Sequence, residues 1–283
     1  MGIAIISDTD TSLPKSSLDE FGIRQASITI HFGDEILKAN LDINDEQLIE
    51  RVNREGKLPT TAAPSPGDFA EVYQEAFDGG ADEIICLTVS GDVSATYQAA
   101  LAAKDLLPGK EITVVDTKSI SMGQGFMVLK AAEMARDGKS REEIVAEVED
   151  VRDRTHLFAA LETLKFMAMS GRVGHLTAEM ANVFSIKPIL TIKDGKLDLL
   201  EKTRTRKKAW NRVLELTKSG LGSGEIENIF ILQVAATQEA KEFEKLLRET
   251  IPCPDVIHLT ELTPGLSVHT GAGLVGVAFT TKE

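Results

Sequence analysis

Ile84-Ile85-Cys86-Leu87-Thr88-Val89 reads as an apolar strand, and it opens directly into the small, hydroxyl-bearing turn Ser90-Gly91-Asp92-Val93-Ser94. An alanine-rich helix, Ala95-Thr96-Tyr97-Gln98-Ala99-Ala100, follows at once. Strand, tight turn and helix in succession are the unit from which parallel α/β sheets are built. Such a turn aims side-chain hydroxyls and free helix N–H groups at one point, which suits a carboxylate or a phosphate. Four other segments share its character: Pro59-Thr60-Thr61-Ala62-Ala63-Pro64-Ser65-Pro66, Asp116-Thr117-Lys118-Ser119 leading to Gly123-Gln124-Gly125, Ser170-Gly171-Arg172-Val173-Gly174, and His269-Thr270-Gly271-Ala272-Gly273.

The N-terminal half alternates strands and helices. Residues 3–7, 24–31, 84–89 and 112–116 read as strands; residues 45–54, 93–107 and 122–136 read as helices. Ser65-Pro66-Gly67-Asp68 and Ser140-Arg141-Glu142-Glu143 are helix starts, each with a serine cap and an acid three residues later, for helices ending near Gly79 and Asp153. Strands separated by helices of this length imply parallel pairing with right-handed crossovers. A composition change near Arg154 places a domain boundary there, giving an N-terminal α/β domain (1–154) and a C-terminal α/β domain (155–283). In the second half, residues 164–169 and a segment from Thr177 read as helices, and Met180 to Phe184 as plain core. Residues 186–193 and 197–202 read as strands joined by Asp194-Gly195, a strong hairpin signal. Helices from Thr205 and over 239–250, with strands over 229–234, 256–259 and 274–280, complete the chain.

Length and composition narrow the classes of function. At 283 residues the chain is one large domain or two ordinary ones, and 42% hydrophobic with 27% charged residues describes a soluble globular protein. A formal charge of −13 argues against nucleic acid or anionic membranes as partners. Cys86 and Cys253 are far apart with apolar neighbours, which fits a reducing cytoplasm. The first eight residues lack the basic start of a signal peptide, and Ile6 stands where myristoylation wants Ser or Thr. The uncharged stretch 262–281 carries four glycines and a proline, too broken for a membrane span.

Several motifs fail on context. Gly271-Ala272-Gly273-Leu274-Val275-Gly276 matches a dinucleotide fingerprint, yet seven residues after it are too few for the helix, second strand and ribose-binding acid. A glycine turn feeding a terminal strand explains it better. No Walker loop and no Gly-x-Ser-x-Gly elbow is present, and the five histidines show no metal spacing. No cofactor and no metal is expected. Ser94 and Thr61 read from pattern alone as helix caps or turn residues.

Together with Asp8-Thr9-Asp10 and Lys187-Pro188-Ile189-Leu190, the order and spacing of the hydroxyl- and glycine-bearing segments resemble the DegV family across residues 3 to 280. Members of that family bind a fatty acid and present it to a separate kinase. The resemblance implies two α/β domains of DegV type, the N-terminal one with a mainly parallel sheet and flanking helices, and the ligand at the domain interface. It assigns the fatty-acid carboxylate to Thr61 and Ser94, with His269 completing the head-group network, Thr60 nearby, and Arg172 at the cavity mouth or pinning the domains. Neutral hydroxyls suit this task, because a carboxylate buried beside its own apolar tail needs donors waiting for it. Arg204-Thr205-Arg206-Lys207-Lys208, the dense basic run of an acidic chain, resembles the family segment that meets an ATP-dependent fatty acid kinase, so Arg204 and Arg206 are docking candidates. The chain departs from the family pattern at Ala62 and Ala63, at Ala95 where glycine is usual, and at Ala272 where proline is usual. Asp8-Thr9-Asp10-Thr11-Ser12-Leu13-Pro14 is likewise a permuted form of the family's Asp-Ser-Thr-x-Asp-Leu-Pro.

The expected protein is thus a cytoplasmic fatty-acid carrier rather than an enzyme. Two other readings stay open on sequence. One is a stand-alone serine hydrolase or acyltransferase using Ser94 and His269, which needs a base in reach and an orienting acid. The other is a sugar- or phosphate-binding protein using the same turns.

Overall fold

The computed structural model describes residues 2–172 and 186–282. The first half runs β1 (Ile3–Asp8), a 3-10 turn (Thr9–Thr11), α1 (Lys15–Phe21), β2 (Arg24–Ala26), β3 (Thr29–Phe32), β4 (Glu35–Lys38), α2 (Asp45–Glu55) and β5 (Thr60–Ala62). It continues with α3 (Pro66–Asp78), β6 (Glu83–Thr88), α4 (Thr96–Asp105), β7 (Glu111–Asp116), α5 (Ser121–Arg136) and α6 (Arg141–Asp153). The second half comprises β8 (Thr155–Ala160), α7 (Lys165–Met169), β9 (Lys187–Lys193), β10 (Lys196–Thr203), α8 (Arg206–Leu221) and β11 (Ile226–Gln233). It ends with α9 (Thr237–Thr250), β12 (His258–Glu261), α10 (Pro264–Thr270) and β13 (Val275–Thr281). The helix read from Thr177, the Met180 to Phe184 core segment and the Val173-Gly174 end of the arginine motif lie outside the described residues.

Strands β2, β1, β6 and β7 form a four-stranded sheet in that order, all parallel. The second half builds a six-stranded sheet, β10-β9-β8-β13-β11-β12, antiparallel except for the β11–β12 pair. A small antiparallel sheet, β4-β3-β5, stands apart.

Alternation along the strands sorts the core, because successive side chains leave opposite faces of a sheet. Ile6, Ile84 and Cys86 face Phe69 and Tyr73 of α3 and Ala100 of α4, whereas Ile5, Ile85 and Leu87 face α5. In the other sheet, Ile229, Ile231, Val277 and Phe279 pack under Trp210 of α8 and Phe243 of α9, whereas Phe230, Leu232 and Ala278 turn back towards α5. Helix α5 therefore lies between the two sheets, which explains why Met122, Phe126, Met127, Val128 and Ala131 are all buried. Five layers result: helices, parallel sheet, α5 and α6, mixed sheet, helices.

Both serine capping boxes form, Ser65 with Asp68 and Ser140 with Glu143. Asp194 and Gly195 take φ of 48° and 81° in the β9–β10 hairpin, as a two-residue turn of that kind requires. Other expectations change. The run 24–31 is two strands rather than one, since β2 pairs with β1 while β3, beyond Ser27-Ile28, pairs with β4 and β5. Helix α4 starts at Thr96 rather than 93, because Val93 and Ser94 still belong to a turn closed on the Ser90 carbonyl. The apolar run after Arg154, seen in the sequence only as a composition change, is the strand β8. Helix α10 was not anticipated, although Thr263-Pro264 is a helix-start signal.

Candidate functional site

In the parallel sheet, the chain leaves β1 towards one edge and β6 towards the other, so the strand order reverses between them. Ligands of open α/β sheets bind outside the carboxyl ends of the strands at such a switch point. Here those ends are Asp8–Asp10 after β1 and Val89–Ser94 after β6, and a cavity of about 580 Å³ opens beside them. Its walls come from both halves of the chain. Leu157, Leu161, Leu190, Leu197, Leu232 and Leu274 are aliphatic wall residues, and Thr61, Ser94, Arg172, His269 and Asp10 bring polar groups.

Strand β5 delivers Thr61 and α10 delivers His269, and Thr61 Oγ1 lies 3.1 Å from His269 Nε2. His269 is half-buried, and its buried Nδ1 has no hydrogen-bond partner among the described residues. Burial, helped by the nearby Arg172 charge, pushes the His269 pKa down to about 4, so the ring is neutral at physiological pH. A neutral imidazole that donates from Nε2 to Thr61 Oγ1 leaves the Thr61 hydroxyl proton free to point at a ligand.

Ser94 ends the turn after β6. Its Oγ accepts the Thr96 N–H at 3.3 Å and lies 2.8 Å from Thr96 Oγ1. The capping role suggested by pattern and the placement in the cavity wall therefore coexist. The turn is clasped from both halves: Ser90 Oγ donates to the Gly195 carbonyl of the second half at 2.7 Å, and Lys118 of the first half pairs with Asp92 and Asp116. A Cβ on Gly195 would stand 2.7 Å from Asp92 Oδ2 and 2.8 Å from Ser90 Oγ, so only glycine lets the hairpin tip seat.

Arg172 lines the cavity and donates to the Ser170 carbonyl. Thr60 does not join the group; it is exposed on β5 and absent from the cavity wall, as neighbours in a strand face opposite ways. Arg206 forms ion pairs with Glu162 and Glu239, and Glu162 also pairs with Lys187, while Arg204 is exposed just before α8.

Sequence reasoning did not place Asp10 in the cavity. The Asp8-x-Asp10 pair at a strand end was the available signal. Asp8 is fully buried; its carboxylate accepts from the Val89 and Asp10 N–H groups and from Gln124 Nε2, tying β1, β6 and α5 together.

Among the described residues no cluster of three or more His, Cys, Asp or Glu is placed to hold a metal, and no helix is long and apolar enough to cross a membrane.

Comparison with known proteins fits this geometry. A DegV domain-containing protein of Streptomyces coelicolor is 31% identical over 280 residues, covering 99% of each chain. A solved structure described as fatty acid binding of a DegV family protein from Thermus thermophilus superposes with a TM-score of 0.91 at 30% identity, covering 100% of both chains. The structure of DegV, a fatty acid binding protein from Bacillus subtilis, gives 0.89 at 26% identity, again over 100% of both. A family model described as "Uncharacterised protein, DegV family" matches residues 2–282, and with that coverage the chain belongs to the DegV family.

Proposed function

We propose that this protein binds a long-chain fatty acid, its carboxylate at Thr61, Ser94 and His269 and its tail along the leucine-lined cavity. The observation that carries this is the joining of the half-buried Thr61–His269 pair to a wall of aliphatic side chains in one cavity of about 580 Å³. That size lies in the range of small-molecule sites. Burying a sixteen-carbon tail of about fourteen methylenes at about 0.8 kcal/mol each gives roughly 11 kcal/mol before ordering costs. Loss of translation and chain freedom removes about half, so the tail alone accounts for a Kd on the order of 0.1 mM, and the hydrogen bonds to the carboxylate, at about 1.5–3 kcal/mol each, supply the rest. The Thermus and Bacillus relatives, both described as fatty-acid-binding, support the reading.

In this reading residues 1–154 and 155–283 are two units that close over the ligand, and the carrier works in the cytoplasm beside an ATP-dependent fatty acid kinase. The kinase phosphorylates the presented carboxylate to an acyl phosphate that feeds lipid metabolism. Arg204 is the better-placed docking residue, since Arg206 is already engaged by Glu162 and Glu239. Self-contained hydrolysis is disfavoured: His269 Nε2 faces Thr61 rather than Ser94, and among the described residues no carboxylate orients Nδ1.

The direct test is denaturation of purified protein followed by lipid mass spectrometry. Near one fatty acid per chain is expected. Extracts without fatty acid, together with failure to bind added palmitate or oleate, reject the reading.

A further inference from the structure

Asp10 is a buried carboxyl with a face on the cavity. Its Oδ1 accepts from Thr263 Oγ1 at 3.0 Å, and its Oδ2 has no hydrogen-bond partner among the described residues. Gly265 makes room for it, since a Cβ there would come within 2.3 Å of Asp10 Oδ1. Gly265 and His269 are four apart on α10 and therefore share one face, about one helical turn of roughly 5.4 Å from each other. Asp10 touches the first of them and Thr61 the second. A carboxylate held at Thr61 thus shares one cavity, and one side of α10, with a second carboxyl, beside an apolar wall that includes Ile28 and Leu266.

Two carboxyl groups brought together in a low-dielectric site do not both stay ionised. We propose that Asp10 belongs to the head-group site: its free Oδ2 meets the bound carboxylate, and the two share a single proton. This rests on the fatty-acid reading and deepens it. The ligand is ionised in solution, so one proton from bulk water accompanies it into the site whenever Asp10 was ionised beforehand.

The surroundings agree. Burial and the Asp8 charge behind it raise the Asp10 pKa to about 8 in the empty protein. Asp8 itself is raised by burial to about 6, with its three donors opposing the shift, so it carries its charge above neutral pH. From α10 the facing titratable group is His269, neutral above its lowered pKa, with Arg172 beyond it. Asp45 of α2 stands beside Ser267 of α10, with Glu261 of β12 near it. Arg172 is the one cation among these, and its charge acts on His269 rather than on Asp10.

The experiment is calorimetric titration of delipidated protein with palmitate at pH 7, 8 and 9, each in two buffers of different ionisation enthalpy. Proton uptake should be near zero at pH 7 and close to one per ligand at pH 9, with affinity falling about tenfold over that interval. Asp10→Asn, which keeps the Thr263 contact and always carries a donor, should show no uptake and bind about tenfold tighter than wild type at pH 9. Thr263→Val, which removes the hydroxyl steadying the Asp10 charge, should move the midpoint to higher pH. Palmitate binding with no proton uptake in the wild type, or uptake unchanged in Asp10→Asn, overturns the proposal. No palmitate binding at pH 7 removes the fatty-acid reading and this proposal with it.

Discussion

Thr61 Oγ1 and His269 Nε2 lie 3.1 Å apart although 208 residues separate them in the chain. Strand β5 hangs on the small sheet and α10 precedes the last strand, so the pair forms only when both halves of the molecule are assembled. The contact joins a hydroxyl to a ring kept neutral by burial. With the ring proton on Nε2, Thr61 is both bonded and available, a donor held in place before the ligand arrives.

The first prediction concerns this pair. Thr61→Ala and His269→Ala should each weaken palmitate binding about tenfold, the magnitude of one hydrogen bond to a charged acceptor. The double variant should lose far less than the product of the two, because the histidine acts through the threonine. His269 is already neutral above pH 5, so wild-type affinity should stay flat between pH 5.5 and 7. Calorimetry of the four proteins decides it, and additive losses would place the two residues in separate sites.

A second prediction separates the two jobs of Ser94. Its hydroxyl both takes the Thr96 N–H and lines the cavity. Ser94→Ala should cost stability on the order of 1 kcal/mol through the lost cap, and also lower palmitate affinity about tenfold. Ser94→Gly should recover most of the stability, since glycine is tolerated at helix starts, and none of the affinity. Thermal melts beside binding isotherms resolve this; an affinity that tracks stability across both variants would leave Ser94 a cap only.

Much of this was legible in the sequence, for a physical reason. The strand–turn–helix at residues 84–100, the two serine capping boxes and the Asp194-Gly195 turn are local, set by neighbours within a few residues. Residues 24–31 split because two different sheets recruit the two ends, which no local pattern records. Thr61 and His269 were singled out through motif resemblance, yet their contact is a product of assembly. Asp10 was hidden for a related cause: its side chain is buried by Gly265 and Thr263, more than 250 residues later in the chain.

The third prediction is a pH dependence of stability. Asp45, in the first turn of α2, is buried, and burial together with the Glu261 charge raises its pKa to about 7. The native state then holds a proton that the unfolded chain releases near 3.8, the ordinary value of an aspartate. Stability contributed by the protonated form is complete below that value and declines as pH rises towards 7. Asp45→Asn removes this decline. The stability of the variant relative to wild type should grow between pH 4.5 and 7.5 by on the order of 1–3 kcal/mol. Asp10 acts in the same direction and His269 in the opposite one, but both are common to the two proteins and cancel in the difference. An offset that is constant with pH would show that Asp45 ionises freely in the native state.

The last prediction concerns the basic run before α8. Arg206 is an internal strut: it pairs with Glu162 and Glu239 and lies over the Trp210 ring. Glu162 in turn follows Leu161 of the cavity wall and holds Lys187. Arg204 is exposed two residues earlier. If the run meets a kinase, the two arginines should fail differently. Arg204→Glu should raise the apparent KM for this protein in a kinase-coupled assay several-fold and alter its salt dependence, because charge at a rim acts mainly on association. Its palmitate affinity and melting temperature should not move. Arg206→Glu should also lower the melting temperature, since it places a third carboxylate beside Glu162 and Glu239. Full kinase-coupled turnover with Arg204→Glu at low and high salt would return the run to an ordinary solvated helix start and move the docking surface elsewhere.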